Sequence, residues 1–306
     1  VVLLLFFVLT RETKQRYSWA ESYEEESKDP YGIYVLHQLM QSYLPGEEFI
    51  EVDKKLREVL PAKTAQPASY VFVGEALYLD TADVNRLLTF AENGNDVFIA
   101  SKTIPYDLMF YVYYEECNGY YWNDYALLQD TLASINVLHN DLRDSLGFEY
   151  KYLFQHKTKD YEWSYIDSVY FCEEEFSPIE LGLINDRFAN FAKKSYGDGH
   201  IYLHTTPLAF TNIQLLDESG LTYIKQVFSH LKSGSIYWDG HSRIEESVGR
   251  RRNNRSQNSP NRNLSDQSPL KYILAQTPLA WAWYTLLALI LLYVLFRAKR
   301  KQRVIP

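Results

Sequence analysis

Sulfur is nearly absent from this chain of 306 residues, which holds two cysteines and two methionines. Two cysteines exclude a disulfide scaffold and any multi-cysteine zinc or iron–sulfur module. Phosphate-cradling loops are also missing: there is no G-x-G-x-x-G and no G-x-x-x-x-G-K-[ST]. Nor is there a G-x-S-x-G elbow, the usual hydrolase signature. Basic residues are too few for a nucleic-acid surface, and the net charge is −8. The sequence supplies no reason to invoke a cofactor.

What is present is an aromatic load of 26 Tyr, 16 Phe and 6 Trp in a chain 46% apolar and 23% charged. That composition is globular, and the length allows one large domain or two small ones. Charge divides the chain sharply. Residues 1–240 carry 36 acidic and 19 basic side chains, a balance of −17, whereas residues 241–306 carry 3 and 12, a balance of +9.

The basic end contains a membrane anchor by pattern. Residues 272–296 include no charged side chain, and 279–296 are almost wholly apolar. A helix needs roughly 20 residues to cross a hydrocarbon core of about 30 Å. Trp281, Trp283 and Tyr284 lie near one end; Arg297, Lys299, Arg300, Lys301 and Arg303 follow the other, which orients the tail toward the cytoplasm. Residues 1–9 are apolar throughout, but as a helix they span only about 14 Å. They read as the remnant of a first transmembrane helix; a signal-peptide core and a segment packed on the domain are the alternatives. The expected plan is a remnant at 1–10, an extracytoplasmic domain at 17–246, a basic tether at 247–270, a transmembrane helix at 272–297 and a cytoplasmic tail at 298–306. Composition places the tether's Arg, Asn, Ser and Pro residues outside any core, with an affinity for anionic headgroups.

Within the domain the period predicts an α/β start. Asp29 and Pro30 open a helix carrying Ile33, Leu36, Leu39, Met40, Tyr43 and Leu44 on one face, and Pro45-Gly46 ends it. Strands are expected at 49–52, 70–73 and 96–100, with a helix from about Thr81 closed by Gly94-Asn95, and a weaker strand at 17–20. That alternation implies a mostly parallel sheet. From about 119 to 176 the period changes to two: Phe148, Tyr150, Tyr152 and Phe154, then a turn at 157–160, then Tyr161, Trp163 and Tyr165. This predicts an aromatic antiparallel hairpin inserted in the sheet. A strand at 199–205, a helix marked by Ile224, Val227, Phe228 and Leu231, and a strand at 235–238 complete the domain.

Residues that carry chemistry are sparse. His200 and His204 share one strand face, but roughly 13 Å separates them at about 3.3 Å per residue, too far for one metal ion. Glu173, Glu174 and Glu175 read as a solvated turn, and Asp198 as a turn residue. Cys117 and Cys172 can pair in an oxidising compartment or stay as two thiols. The Tyr excess suits half-buried strands more than a sugar-stacking surface.

Three stretches carry a family resemblance: Pro30-Tyr31-Gly32 before a helix, residues 93–101, and residues 197–212, with the tail 299–306 as a fourth. Together they resemble a bacterial membrane-anchored group, domain-of-unknown-function family 4350. The α/β part resembles the class I glutamine-amidotransferase-like, flavodoxin-like fold. That resemblance implies a nucleophile at the turn after the strand at 70–73, where this chain has Gly74 and Glu75 instead. It also implies membrane-complex neighbours such as MoxR-type ATPases and von Willebrand-type proteins, and an inner-membrane placement with the body in the periplasm.

The expected function is a non-enzymatic binding or scaffold domain. Open α/β sheets bind ligands outside the carboxyl ends of their strands, which nominates Gly74, Glu75, Ser101, Thr205, Thr206 and Asn212. The alternatives are a hydrolase acting on sugar or envelope material with Glu75 as general base, and an accessory subunit of an ABC-type transport system.

Overall fold

A computed structural model describes residues 17–42, 48–103, 105–113, 125–138, 148–168, 178–232, 234–243 and 277–300. In chain order its elements are α1 (Tyr34–Ser42), β1 (Phe49–Val52), β2 (Ala68–Gly74), α2 (Thr81–Glu92), β3 (Asp96–Ser101), α3 (Tyr106–Tyr113), β4 (Ala126–Asp130), β5 (Leu132–Val137), β6 (Phe148–Lys151), β7 (Leu153–Phe154), β8 (Lys157–Thr158), β9 (Tyr161–Tyr165), β10 (Ile179–Ile184), β11 (Phe188–Tyr196), β12 (Gly199–His204), α4 (Glu218–Phe228), β13 (Ser235–Asp239) and α5 (Thr277–Arg300).

Nine strands form one sheet in the order β1-β13-β2-β3-β12-β11-β10-β5-β6. Its first five members run parallel, and the remaining four continue it antiparallel. Every residue of β2 and β3 is buried, as continuous apolar strands covered on both faces must be. On one face Tyr70, Phe72, Val97 and Ile99 meet Leu87, Leu88 and Phe90 of α2 and Leu108, Met109 and Val112 of α3. On the other, Val71, Val73, Phe98 and Trp238 meet Leu36 of α1 and Tyr223, Ile224 and Val227 of α4. The parallel sheet is thus the middle of three layers. Asp80 caps α2, its side chain accepting the Asp83 N–H, and Gly94, at φ +90°, turns the chain into β3.

Several expectations change. Residues 17–20 form no strand. Asp29 and Pro30 belong to a turn, and α1 starts only at Tyr34, because the Asp29 carbonyl is already taken by the Gly32 N–H and the Asn212 side chain. The two aromatic strands do not pair with each other. β6 pairs with β5 and β9 with β4; only the tip β7–β8 forms a hairpin between them, turning at Gln155 and His156 with positive φ. The insertion extends the main sheet and includes β10 and β11, which no clean two-residue period announces. Among the five parallel strands the chain order across the sheet is 1-5-2-3-4, which differs from the 2-1-3-4-5 order of flavodoxin.

The chain divides at residue 244, and α5 is what is described of its second part. This helix is 24 residues long, and Pro278–Arg297, at mean hydropathy 2.1 and unburied, is long and apolar enough to cross a membrane. The remnant at 1–10, the tether, the tail after Arg300, Pro45-Gly46, Cys117, Cys172 and Glu173–Glu175 lie outside the described residues.

Candidate binding site at the carboxyl edge of the sheet

Gly74, Glu75 and Ser101 come together where β2 and β3 end. Gly74 is buried; a Cβ there would lie 2.8 Å from Phe72 Cζ and 3.2 Å from Arg243 Cγ. Glu75 is exposed, and its carbonyl accepts the N–H groups of Lys102 and Thr103 at 3.0 and 3.2 Å. Ser101 Oγ donates to the Thr103 carbonyl at 2.8 Å. Thr205, at the end of β12, donates from Oγ1 to the Ser164 carbonyl at 2.5 Å, and Ser164 Oγ donates to the Lys102 carbonyl at 3.1 Å. These bonds knit three strand ends together.

Thr206 and Asn212 behave differently. The Thr206 N–H donates to His204 Nδ1 at 3.1 Å, while its buried Oγ1 has no hydrogen-bond partner among the described residues. Asn212 sits apart and clamps the N-terminal loop: Nδ2 donates to the carbonyls of Ser27 and Asp29, each at 2.8 Å, and Oδ1 accepts the Val35 N–H at 2.9 Å. His204 is buried against Phe98, Phe191 and Phe210. Because its Nδ1 accepts, its Nε2 carries the proton toward Tyr223 Oη at 2.8 Å. Burial drives its pKa down to about 3, so the ring is neutral in the folded protein. Among the described residues no three potential metal ligands cluster.

The paired carboxylates of this edge come from the loop at residues 18–33. It folds back on itself through Tyr23 N–H to Tyr31 carbonyl (3.0 Å) and Ile33 N–H to Glu24 carbonyl (3.1 Å). Gly32 makes that possible, since a Cβ there would stand 2.3 Å from the Ser27 carbonyl oxygen. The loop sets two carboxylates on the strand ends. Glu21 Oε2 accepts from Tyr23 Oη at 2.7 Å, Tyr161 Oη at 3.1 Å and Lys102 Nζ at 3.1 Å. Burial first, and charged Glu21 beside them, hold both phenols far above their usual pKa, so they stay donors. Lys102 Nζ also lies 4.8 Å from the centre of the Tyr161 ring, within cation–π range.

Glu25 is the second carboxylate. Its Oε1 accepts from Arg243 Nη1 at 2.5 Å and Trp238 Nε1 at 2.8 Å. Burial alone would raise its pKa, but the Arg243 charge and these bonds outweigh it and hold the group below the ordinary 4.5. Reasoning from sequence missed Glu21, Glu25, Lys102, Tyr161 and Arg243 as a set. The one local signal was the acidic cluster Glu21, Glu24, Glu25 and Glu26.

Against this geometry, the family description "Domain of unknown function (DUF4350)" matches residues 25–228. The chain belongs to that family. The DUF4350 match begins at Glu25 and ends before β13, so the Glu25–Arg243 pair straddles its border. No curated protein matches the chain. A solved structure that resembles it is the exo-beta-1,4-mannosidase Op5Man5 from Opitutaceae bacterium strain TAV5, with 12% identity and a TM-score of 0.36. The overlap covers 71% of this chain and 35% of that one; this chain spans about a third of the enzyme's length, and no property of the enzyme is carried over.

Proposed function

We propose that this DUF4350 protein is a non-enzymatic, membrane-anchored binding or scaffold domain that works in a membrane complex outside the cytoplasm. One observation carries the reading: the carboxylates at the carboxyl edge are either already paired or alone. Glu21 and Glu25 each hold a cation and further donors. Glu75, at the turn where the amidotransferase-like resemblance asks for a nucleophile, is exposed, and among the described residues no side chain bonds its carboxylate. Catalytic carboxylates are commonly tuned by enclosure or by a neighbouring ionisable group. A carboxylate without such a partner suits a contact better than a reaction.

Anchoring is supported by α5 and by the basic residues beyond its apolar span, and the excess of those residues on one side supports a body outside and a tail inside. The partners suggested by the resemblance, MoxR-type ATPases, von Willebrand-type proteins or a transport system, belong to this proposal. The test has two arms. A cysteine placed at Ser256 should be labelled from outside intact cells and one at Gln302 should not; the reverse pattern overturns the orientation. Glu75→Gln should complement a deletion strain at normal membrane abundance. Complete loss of function at that abundance overturns the non-enzymatic reading and promotes the hydrolase.

A further inference from the structure

Arg243 ends the short turn His241–Arg243 that follows β13. Asp239 caps this turn, its Oδ1 accepting the N–H groups of His241 and Ser242 at 2.8 and 2.9 Å. The Arg243 side chain is only 9% exposed. Its Nε donates to the Val73 carbonyl at 2.7 Å and its Nη1 to Glu25. The other terminal nitrogen, Nη2, is buried and has no hydrogen-bond partner among the described residues. Buried donors are rarely left so, and an orphan calls for an explanation.

The guanidinium is a planar fork that matches both oxygens of a carboxylate. Glu25 satisfies only one prong, because the oxygen it offers, Oε1, is shared with Trp238 Nε1. Position agrees with chemistry. Arg243 lies over the adjacent ends of β2 and β13, on the carboxyl side of the sheet, the side on which open α/β sheets bind ligands. Gly74 ends β2 and Gly240 directly follows β13. A Cβ on Gly240 would stand 2.6 Å from Glu25 Oε1 and one on Gly74 would stand 3.2 Å from Arg243 Cγ. Missing side chains leave the place that the carboxylate and the guanidinium occupy.

We infer that Arg243 is the receptor for a carboxylate-bearing ligand, and that Glu25 is a built-in occupant which the ligand displaces. The inference rests on reading this edge as a binding crevice. A planar carboxylate is the class chosen because one already sits there by a single prong. Glu25 is the more exposed of the pair, at 22%, and its hold on Arg243 and Trp238 is through its side chain, so it can swing aside without breaking a strand.

The experiment is a titration of the full-length protein in nonionic detergent with sodium acetate, at constant ionic strength set by chloride, read by tryptophan fluorescence. Trp238→Phe identifies the share of the signal that comes from Trp238. Removing an internal competitor raises apparent affinity by the fraction of receptor it had blocked. Glu25→Gln, whose side-chain oxygen still accepts from Trp238, should therefore bind acetate roughly tenfold or more tightly than the parent. Adding Arg243→Met should abolish the response, and Arg243→Lys, a point charge without the fork, should restore only part of it. A folded Glu25→Gln protein with no saturable response, a response that survives Arg243→Met, or tighter binding of inorganic phosphate than of acetate would each overturn the inference. Because no cellular partner takes part, these failures are separable from failure of the complementation and labelling tests of the binding reading.

Discussion

The two ends of the parallel strands are built on different plans. At the amino end of β3, Asn95 and Asp96 are fully buried and bind mostly backbone. Asn95 Oδ1 accepts from Thr64 Oγ1 and the Ala68 N–H, and Nδ2 donates to the Phe90 carbonyl, all within 2.9 Å. Asp96 accepts the Lys232 N–H at 2.8 Å and lies 3.0 Å from His200 Nδ1. At the carboxyl end the strand ends are also tied through backbone carbonyls, but Glu21 and Glu25, from a loop remote in sequence, add charged side-chain pairs with Lys102 and Arg243. Bonds to backbone fix a fold; ion pairs between side chains can be exchanged for a ligand's. That contrast is why the binding role is proposed for the carboxyl edge and not for the amino one.

The largest difference between the two edges is expected at their glycines. A Cβ on Gly199, at the amino edge, would lie 2.1 Å from the Asn95 carbonyl oxygen and 2.3 Å from that of Ala91. Backbone cannot step aside, so Gly199→Ala should cost about 3 kcal/mol or more. On Gly240 the atom met is the end of Glu25, which can rotate, and Gly240→Ala should cost about 1 kcal/mol or less. Urea unfolding of the detergent-solubilised chain measures both, and equal losses would erase the distinction.

Acid provides the next test. His204 has a folded pKa near 3 against an ordinary 6.5, so below 6.5 the unfolded chain takes up a proton that the folded one refuses. Its contribution to stability is therefore present above about 6.5 and is lost as the pH falls toward 3. His204→Gln should flatten that part of the pH–stability curve. A native His204 ring resonance that titrates near pH 6.5 would contradict the buried, neutral assignment.

Glu25 should show a smaller effect of the same sign. Its folded pKa lies below 4.5, so the stability it lends is present above that value and disappears as the pH falls through the folded one. Glu25→Gln should cost about 1 kcal/mol or less at pH 7, since the pair is partly solvated. That deficit should close in acid. A deficit unchanged at pH 3 would mean that charge pairing with Arg243 contributes little.

Much of the fold can be read locally. The β1 range and the Thr81 start of α2 follow from short apolar runs and from Asp80 as a cap. Pairing was less legible, because a two-residue period marks a strand and not its neighbour; hence β6 and β9 were given to each other. β10 and β11 escaped because a bulge at Gly182 breaks the register and β11 buries consecutive residues. The site was legible only as a place. Gly74, Glu75 and Ser101 follow from the strand-end rule, but Glu25 and Arg243 are 218 residues apart and Glu21 and Lys102 are 81 apart. No local pattern encodes such pairs.

The central claim, that this edge binds and does not react, is tested most directly by complementation of a deletion strain with Glu75→Gln and Arg243→Met side by side, at membrane abundance matched by immunoblot. Glu75→Gln should restore function and Arg243→Met should not. Loss with Glu75→Gln and full function with Arg243→Met would contradict the claim.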